Sequence, residues 1–289
     1  MRTRIILITS LALLAVAAAA LAIGGSDERD DPGPGTRAVA GFYPLAYAAE
    51  QLGGPGVAVE NLTPPGAEPH DIEISPDDVE AVRSADLVLL MGEGFQPQLE
   101  QAADQSEGEV LELLDTPGLA LLADEDPHVW LDPIRYGEIV RRIAVALGDP
   151  DAARPLTDRL RGLDREFEAG LSDCAREDLV TSHEAFGYLA QRYGLNQIAI
   201  AGVSPEAEPS PGELAEVAAE IESSGATTVY SETLLSPRLA ETVARETGAE
   251  TRVLNPLEGL TEEEQDSGED YFSIMRQNLA ELRAGLECR

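Results

Sequence analysis

Short apolar runs alternate with stretches of helical periodicity along most of the chain. The run at residues 86–91, DLVLLM, is typical of a strand that is buried on both faces of a parallel sheet. Ser75 and Pro76 combine a favourable N-cap residue with a proline suited to the first helical position, so a helix is predicted to begin there. Strands that alternate with helices through short connections predict parallel sheets with helices packed on both faces.

One long stretch departs from this alternation. Between residues 151 and 173, large apolar side chains recur at spacings of three and four among charged residues: Leu156, Leu160, Leu163, Phe167 and Leu171. This pattern predicts one long helix with a single apolar stripe. We therefore expect two α/β lobes, at residues 37–150 and 174–289, each with a mainly parallel four-stranded sheet, joined by a linker helix at residues 151–173.

The N-terminal segment has the pattern of an export signal. Arg2 and Arg4 precede an apolar run at residues 5–23 that ends near a small-x-small cleavage site. A run of ~19 residues is also just long enough to span a bilayer, so residues 1–26 are expected to form either a signal peptide or an N-terminal anchor. Residues 27–36 have the composition of a flexible linker. In both cases the body of the protein is expected in the periplasm or at the cell surface.

Composition narrows the classes of partner. The chain carries 54 acidic against 20 basic residues and a net charge of −34, so a nucleic acid would be repelled and is not expected as a partner. Two cysteines, Cys174 and Cys288, are more often a disulfide than free thiols in an exported protein. The alternative, a cysteine as metal ligand, lacks a second cysteine or histidine nearby in the sequence.

The chain has only three histidines, His70, His128 and His183, and each lies in a turn-like context. A neutral imidazole offers a lone pair to zinc and related metals without first losing a proton. The long intervals between the three exclude a zinc finger or a local His-x-x-x-His site. We expect the fold to bring all three to one metal ion, in the cleft between the lobes. Metal binding should weaken as the pH falls through ~6.5, the ordinary pKa of histidine.

The segments around these histidines resemble those of the periplasmic metal-binding proteins of bacterial ABC importers, the cluster A-I family that carries zinc or manganese. The resemblance covers nearly the whole exported body, and its motifs lie in the same order as in the family, at residues 69–76, 126–133, 182–188 and 255–261. It implies a monomeric, non-enzymatic solute-binding protein that delivers a metal ion to a permease in the cytoplasmic membrane.

The resemblance also implies a ligand set of His70, His128, His183 and a carboxylate, for which Glu258 is the first choice. Zinc members of the family typically have His at the third position and manganese members Glu, so His183 favours Zn²⁺ over Mn²⁺, which prefers oxygen ligands. Glu232, Asn255 or water remain alternatives for the fourth ligand.

Two other classes compete with this interpretation. An extracytoplasmic zinc hydrolase would need an open metal position and a general base, for which Glu184 or Glu232 are candidates. The sequence lacks His-Glu-x-x-His and any nucleophile motif. A cell-adhesion protein that uses zinc structurally is the third class, and no segment of the sequence points directly to a host-surface partner.

Overall fold

The computed structural model describes residues 35–122, 126–205, 207 and 209–289. The predicted signal peptide or anchor at residues 1–26, and all but the end of the predicted linker, lie outside the described residues. Within the described part of the chain, no helix is both long enough and apolar enough to cross a membrane.

The N-terminal lobe has a parallel sheet in the order β2-β1-β3-β4. Its elements are β1 (Thr36–Ala40), α1 (Tyr43–Gly53), β2 (Val57–Asn61), α2 (Pro76–Ser84), β3 (Leu87–Leu90), α3 (Pro97–Ala103), β4 (Glu109–Glu112) and α4 (Pro133–Ala146), with short 3-10 turns at Gly54–Gly56, Leu113–Asp115 and Val129–Leu131. The predicted start of α2 is confirmed, because Ser75 and Asp78 form a capping box.

A 3-10 turn at Pro150–Ala152 leads into the long linker helix α5 (Ala153–Leu171), which lies within the predicted segment. The C-terminal lobe repeats the parallel arrangement in the order β6-β5-β7-β8. Its elements are β5 (Asp178–Thr181), α6 (Gly187–Tyr193), β6 (Asn196–Ala199), α7 (Pro211–Ser224), β7 (Thr228–Ser231), α8 (Arg238–Thr247), β8 (Glu250–Val253), α9 (Glu262–Asp266) and α10 (Tyr271–Gly285).

The sheets are covered on both faces, as the sequence predicts. On β3, Leu87 and Leu89 pack into the central core, whereas Val88 and Leu90 pack into a smaller core on the other face. The central core continues from the N-terminal lobe through the apolar stripe of α5 into the C-terminal lobe. The two lobes therefore share one packed interior.

A disulfide bond joins Cys174, just after the linker helix, to Cys288 at the end of the chain. The prediction of a disulfide is thereby confirmed. The bond closes a loop with a sequence separation of 114 residues, which contains nearly the whole C-terminal lobe.

Candidate metal centre

The four residues expected as ligands lie beyond the carboxyl ends of strands, where ligands gather in open parallel sheets. His70 is in the loop after β2, and His128 lies between β4 and α4. His183 is two residues beyond β5, and Glu258 follows β8. His128, His183 and Glu258 are fully buried, whereas His70 remains 8% exposed.

The fold brings these four side chains to one point. Glu258 Oε1 lies 3.4 Å from His70 Nε2, 3.0 Å from His128 Nε2 and 3.2 Å from His183 Nε2. The Nε2 atoms of His128 and His183 are 3.4 Å apart. Ligands placed ~2.0 to 2.1 Å from a tetrahedral zinc ion are separated by about 3.3 to 3.4 Å. These four distances are close to the edges of a tetrahedral zinc site, and all four ligand atoms lie within 4.8 Å of one another.

Two buried atoms of the cluster have unsatisfied hydrogen-bonding capacity. His70 Nε2 and Glu258 Oε2 are shielded from solvent and form no hydrogen bond with the described residues. Leaving a buried polar atom without a partner costs ~1 to 3 kcal/mol, so such atoms usually have a ligand, ion or water nearby. A cation at the centre of the cluster would give His70 Nε2 a partner and would neutralise the Glu258 carboxylate.

The alternative oxygen ligands lie elsewhere. Glu232 is on the far side of the His183 ring, where its Oε2 lies 2.7 Å from Nδ1 and its Oε1 accepts a hydrogen bond from the His183 backbone N–H at 3.1 Å. Asn255 uses its side chain locally: Oδ1 accepts from the Leu257 backbone N–H, and Nδ2 donates to Glu264. Neither residue belongs to the four-residue cluster.

The loop that carries Glu258 is held in an uncommon conformation. Leu257, directly before it, has φ of 57°, in the left-handed region that non-glycine residues seldom adopt. Asn255 supports this turn through the hydrogen bond to the Leu257 N–H. Trp130, which is fully buried, donates a hydrogen bond from Nε1 to the Pro256 carbonyl oxygen at 2.8 Å. These contacts aim Glu258 at the three histidines.

Electrostatics in the metal-free cluster favour an ionised Glu258. Burial raises the pKa of Glu258, but its close contacts with the three imidazoles outweigh burial and hold that pKa well below its usual value. Burial likewise lowers the pKa of His183, yet hydrogen bonds with Glu232 and Glu258 raise it to about 10. The raised pKa favours a proton on His183, which balances the buried carboxylate.

The pKa values of the other two histidines shift in opposite directions. Burial opposes the charged form of His128, but hydrogen bonds with Asp126 and Glu258 raise its pKa. For His70, burial outweighs the attraction of the nearby Glu258 carboxylate and lowers the pKa. His70 is thus the imidazole most readily available as a neutral ligand.

Asp126 is a residue of the site to which the sequence analysis assigned no role. Its Oδ1 lies 2.7 Å from His128 Nδ1 and accepts a hydrogen bond from the His128 backbone N–H at 2.9 Å. Its position two residues before His128 is the sequence feature that could have identified it. Glu184, a candidate general base, is exposed at the surface and is not one of the four clustered residues.

Two parallel α/β lobes with three imidazoles and a carboxylate enclosed between them define a metal-binding protein of the two-lobed, cleft-binding class. The profile of the family described as zinc-uptake complex component A, periplasmic (ZnuA), matches residues 38–285. The chain belongs to this family. The resemblance found in the sequence motifs is thereby confirmed.

The relatives agree with this assignment. The chain is 34% identical over 270 residues to the zinc-binding lipoprotein AdcA of Streptococcus pneumoniae, a match that covers 84% of this chain and 54% of AdcA. It is 32% identical over 285 residues to the high-affinity zinc uptake system protein ZnuA of Bacillus subtilis, covering 89% of each. The chain spans about half the length of the AdcA relatives it matches.

Solved structures confirm the two-lobed fold. The Zn(II)-bound ZnuA-like domain of Streptococcus pneumoniae AdcA superimposes with a TM-score of 0.73 at 34% identity, over 88% of this chain and 99% of that domain. The laminin-binding protein Lmb of Streptococcus agalactiae, described as having adhesin and metal-transporting activity, has a TM-score of 0.79 at 29% identity. That match covers 87% of this chain and 100% of Lmb.

Proposed function

We propose that this protein is an extracytoplasmic solute-binding protein that captures Zn²⁺ between its lobes and delivers it to an ABC-type importer. The importer's permease in the cytoplasmic membrane is its partner, and the protein acts as a monomer in the periplasm or at the cell surface. The observation that carries the proposal is the convergence of His70, His128, His183 and Glu258, whose ligand atoms all lie within 4.8 Å of one another.

The donor set favours zinc over manganese. Three imidazole nitrogens and one carboxylate oxygen suit Zn²⁺, whereas Mn²⁺ prefers sites dominated by oxygen. The relatives whose names describe zinc binding support the same choice. We therefore assign Zn²⁺ as the transported ion and treat Mn²⁺ as the weaker competitor.

The site is suited to binding rather than catalysis. A catalytic zinc keeps one position open for water, whereas four protein ligands close the coordination sphere. Glu258 occupies the fourth position of this cluster. Of the two general bases considered for a hydrolase, Glu184 is not one of the four clustered residues, and Glu232 is hydrogen bonded to the ring and backbone of His183.

Metal capture and release involve small movements in this proposal. The central core runs through both lobes and the linker helix, so a wide opening of the cleft would separate packed apolar surfaces. Local movement of the ligand-bearing loops is less costly. Loss of a proton from His183 accompanies capture, and protonation of the same ring assists release.

The test is metal analysis and calorimetric titration of the full chain with zinc and with manganese, alongside His128→Ala. We expect one zinc ion per chain, tighter than manganese, and loss of tight binding in the variant. Assays with generic esters and peptides should show no hydrolysis. A wild-type chain without stoichiometric zinc binding would overturn the proposal.

A further inference from the structure

The three histidines of the centre differ in whether a carboxylate lies behind the ring. The inference drawn from this difference rests on the proposed function. His128 Nδ1 lies 2.7 Å from Asp126 Oδ1, and His183 Nδ1 lies 2.7 Å from Glu232 Oε2. Each carboxylate also accepts a hydrogen bond from the backbone N–H of the histidine that it supports. Both rings are therefore held in position and kept with Nε2 facing the centre.

His70 has no such support. Its neighbouring carboxylate, Glu68, accepts hydrogen bonds only from backbone, with both oxygens 3.1 Å from the His70 N–H. Among the described residues, none forms a hydrogen bond with His70 Nδ1. His70 is also the one histidine of the three that solvent reaches.

We infer that Asp126 and Glu232 are positioning residues that fix His128 and His183 as Nδ1–H tautomers, whereas His70 is the ligand free to turn when the metal enters or leaves. A carboxylate behind a metal-binding imidazole fixes the tautomer and raises ligand basicity, and its loss typically costs ~10- to 100-fold in affinity. His128, His183 and Glu258 then form a fixed half-site that His70 completes.

The two carboxylates use their oxygen atoms differently in these hydrogen bonds. Asp126 accepts both hydrogen bonds on a single oxygen, Oδ1. Glu232 divides them, with Oε1 on the backbone N–H and Oε2 on the ring. This difference separates the effects of two otherwise equivalent amide substitutions.

In Asp126→Asn the amide oxygen can keep both hydrogen bonds, so the ring tautomer is retained. In Glu232→Gln the oxygen is required by the backbone N–H, which leaves the amide NH₂ facing His183 Nδ1. Because NH₂ donates, Nδ1 must become the acceptor and the ring proton moves to Nε2, the atom that faces the metal. A protonated Nε2 cannot bind zinc.

The experiment compares zinc affinity of the full chain, by chelator competition, in Asp126→Asn, Glu232→Gln and the matched control Glu68→Gln. Glu68→Gln removes a carboxylate beside a ligand but keeps an oxygen for the backbone. We expect affinity to fall roughly 100-fold in Glu232→Gln, about 10-fold or less in Asp126→Asn, and by less than about threefold in Glu68→Gln.

A second readout reports the tautomers directly. Since the chain has only three histidines, ¹⁵N-histidine NMR resolves each ring. Zinc-loaded wild type should show slowly exchanging Nδ1 protons on His128 and His183 and a rapidly exchanging one on His70. Metal-free Glu232→Gln should carry the His183 proton on Nε2. The wild-type spectrum tests the inference even if a variant does not fold.

Equal zinc affinities of the three variants, or equally fast Nδ1 exchange on all three rings, would overturn the inference. If the wild type still bound zinc, the proposed function would remain intact. A wild type that binds no zinc would instead overturn the proposed function. The two failures are thus distinguishable.

Discussion

The two lobes share one strand order but contribute unequally to the centre. In the C-terminal lobe, His183 lies two residues beyond β5, and Glu232 follows β7 directly. The equivalent positions after β1 and β3 of the N-terminal lobe hold Phe42 and Met91, which are buried and apolar. The same topological positions thus carry an imidazole and a carboxylate in one lobe and apolar core residues in the other.

The N-terminal lobe instead supplies its histidines from longer connections. His70 lies well beyond β2, and His128 follows a loop and a 3-10 turn after β4. His183 is held more closely, because its carbonyl oxygen accepts hydrogen bonds from Thr181 and Gln197 in addition to its contacts with Glu232. Strand order therefore places the candidate positions at one edge, while the local hydrogen bonds of each histidine decide how closely it is held.

The largest expected effect is a loss of stability when Trp130, which contacts both lobes, is replaced. Trp130 packs against Phe42 at 4.7 Å between ring centroids and donates to the Pro256 carbonyl, so it links the aromatic wall of one lobe to the Glu258 loop of the other. Trp130→Ala should lower the free energy of unfolding by about 3 to 5 kcal/mol in urea titrations. Val145→Ala, at a position 52% exposed, is the control and should change it by less than about 0.5 kcal/mol.

The disulfide distinguishes the C-terminal lobe from the N-terminal one. Replacing Cys174 and Cys288 together by Ala should cost about 2 to 5 kcal/mol, because the open loop gains conformational entropy in the unfolded chain. Thermal unfolding with and without reductant measures this effect. Reductant should destabilise the wild type and leave the double variant unchanged; destabilisation of both would assign the effect to another cause.

Two substitutions by glutamate, His183→Glu and His70→Glu, test whether the two histidines differ in the carboxylates around them. His183→Glu should lower the ratio of zinc to manganese affinity by about 10-fold or more, since oxygen ligands favour Mn²⁺. It also sets a third carboxylate beside Glu232 and Glu258, which are both buried, whereas His70→Glu lies beside Glu258 and the half-buried Glu68 at a position that solvent reaches. Metal-free His183→Glu should therefore be the less stable of the two. Competition titrations and urea unfolding measure both quantities, and unchanged metal selectivity in His183→Glu would argue against its role as ligand.

A pH dependence of the metal-free protein is the last prediction. The pKa of His183 is raised to about 10 in the folded state, above ~6.5 in the unfolded chain, so its contribution to stability is complete below pH ~6.5 and is lost as the pH rises towards 10. Unfolding free energies measured across this range should fall more steeply in wild type than in His183→Gln. Zinc binding at pH 7 should also release protons, detectable by calorimetry in buffers of different ionisation enthalpy. Identical slopes in the two proteins would show that His183 does not carry this proton.

Much of the architecture could be predicted from local patterns. The apolar run at residues 86–91 forms β3, and the stripe at residues 151–173 forms the linker helix, because strand and helix periodicities are properties of neighbouring residues. The short helix Glu262–Asp266 was not predicted, since its acidic residues also suit a solvated loop. Its capping box between Thr261 and Glu264 is the signal that identifies it.

The sequence by itself determined the chemistry available: three rare histidines, two cysteines, and oxygen candidates at residues 232, 255 and 258. Only the tertiary structure decided which oxygen lies among the histidines, because Glu258 is aimed by a left-handed Leu257 and by Trp130, which is distant in the sequence. It also moved the pKa of His183 away from the ordinary histidine value assumed from the sequence. Local preferences act over a few residues, whereas these contacts form only after strands far apart in the chain are brought to one edge.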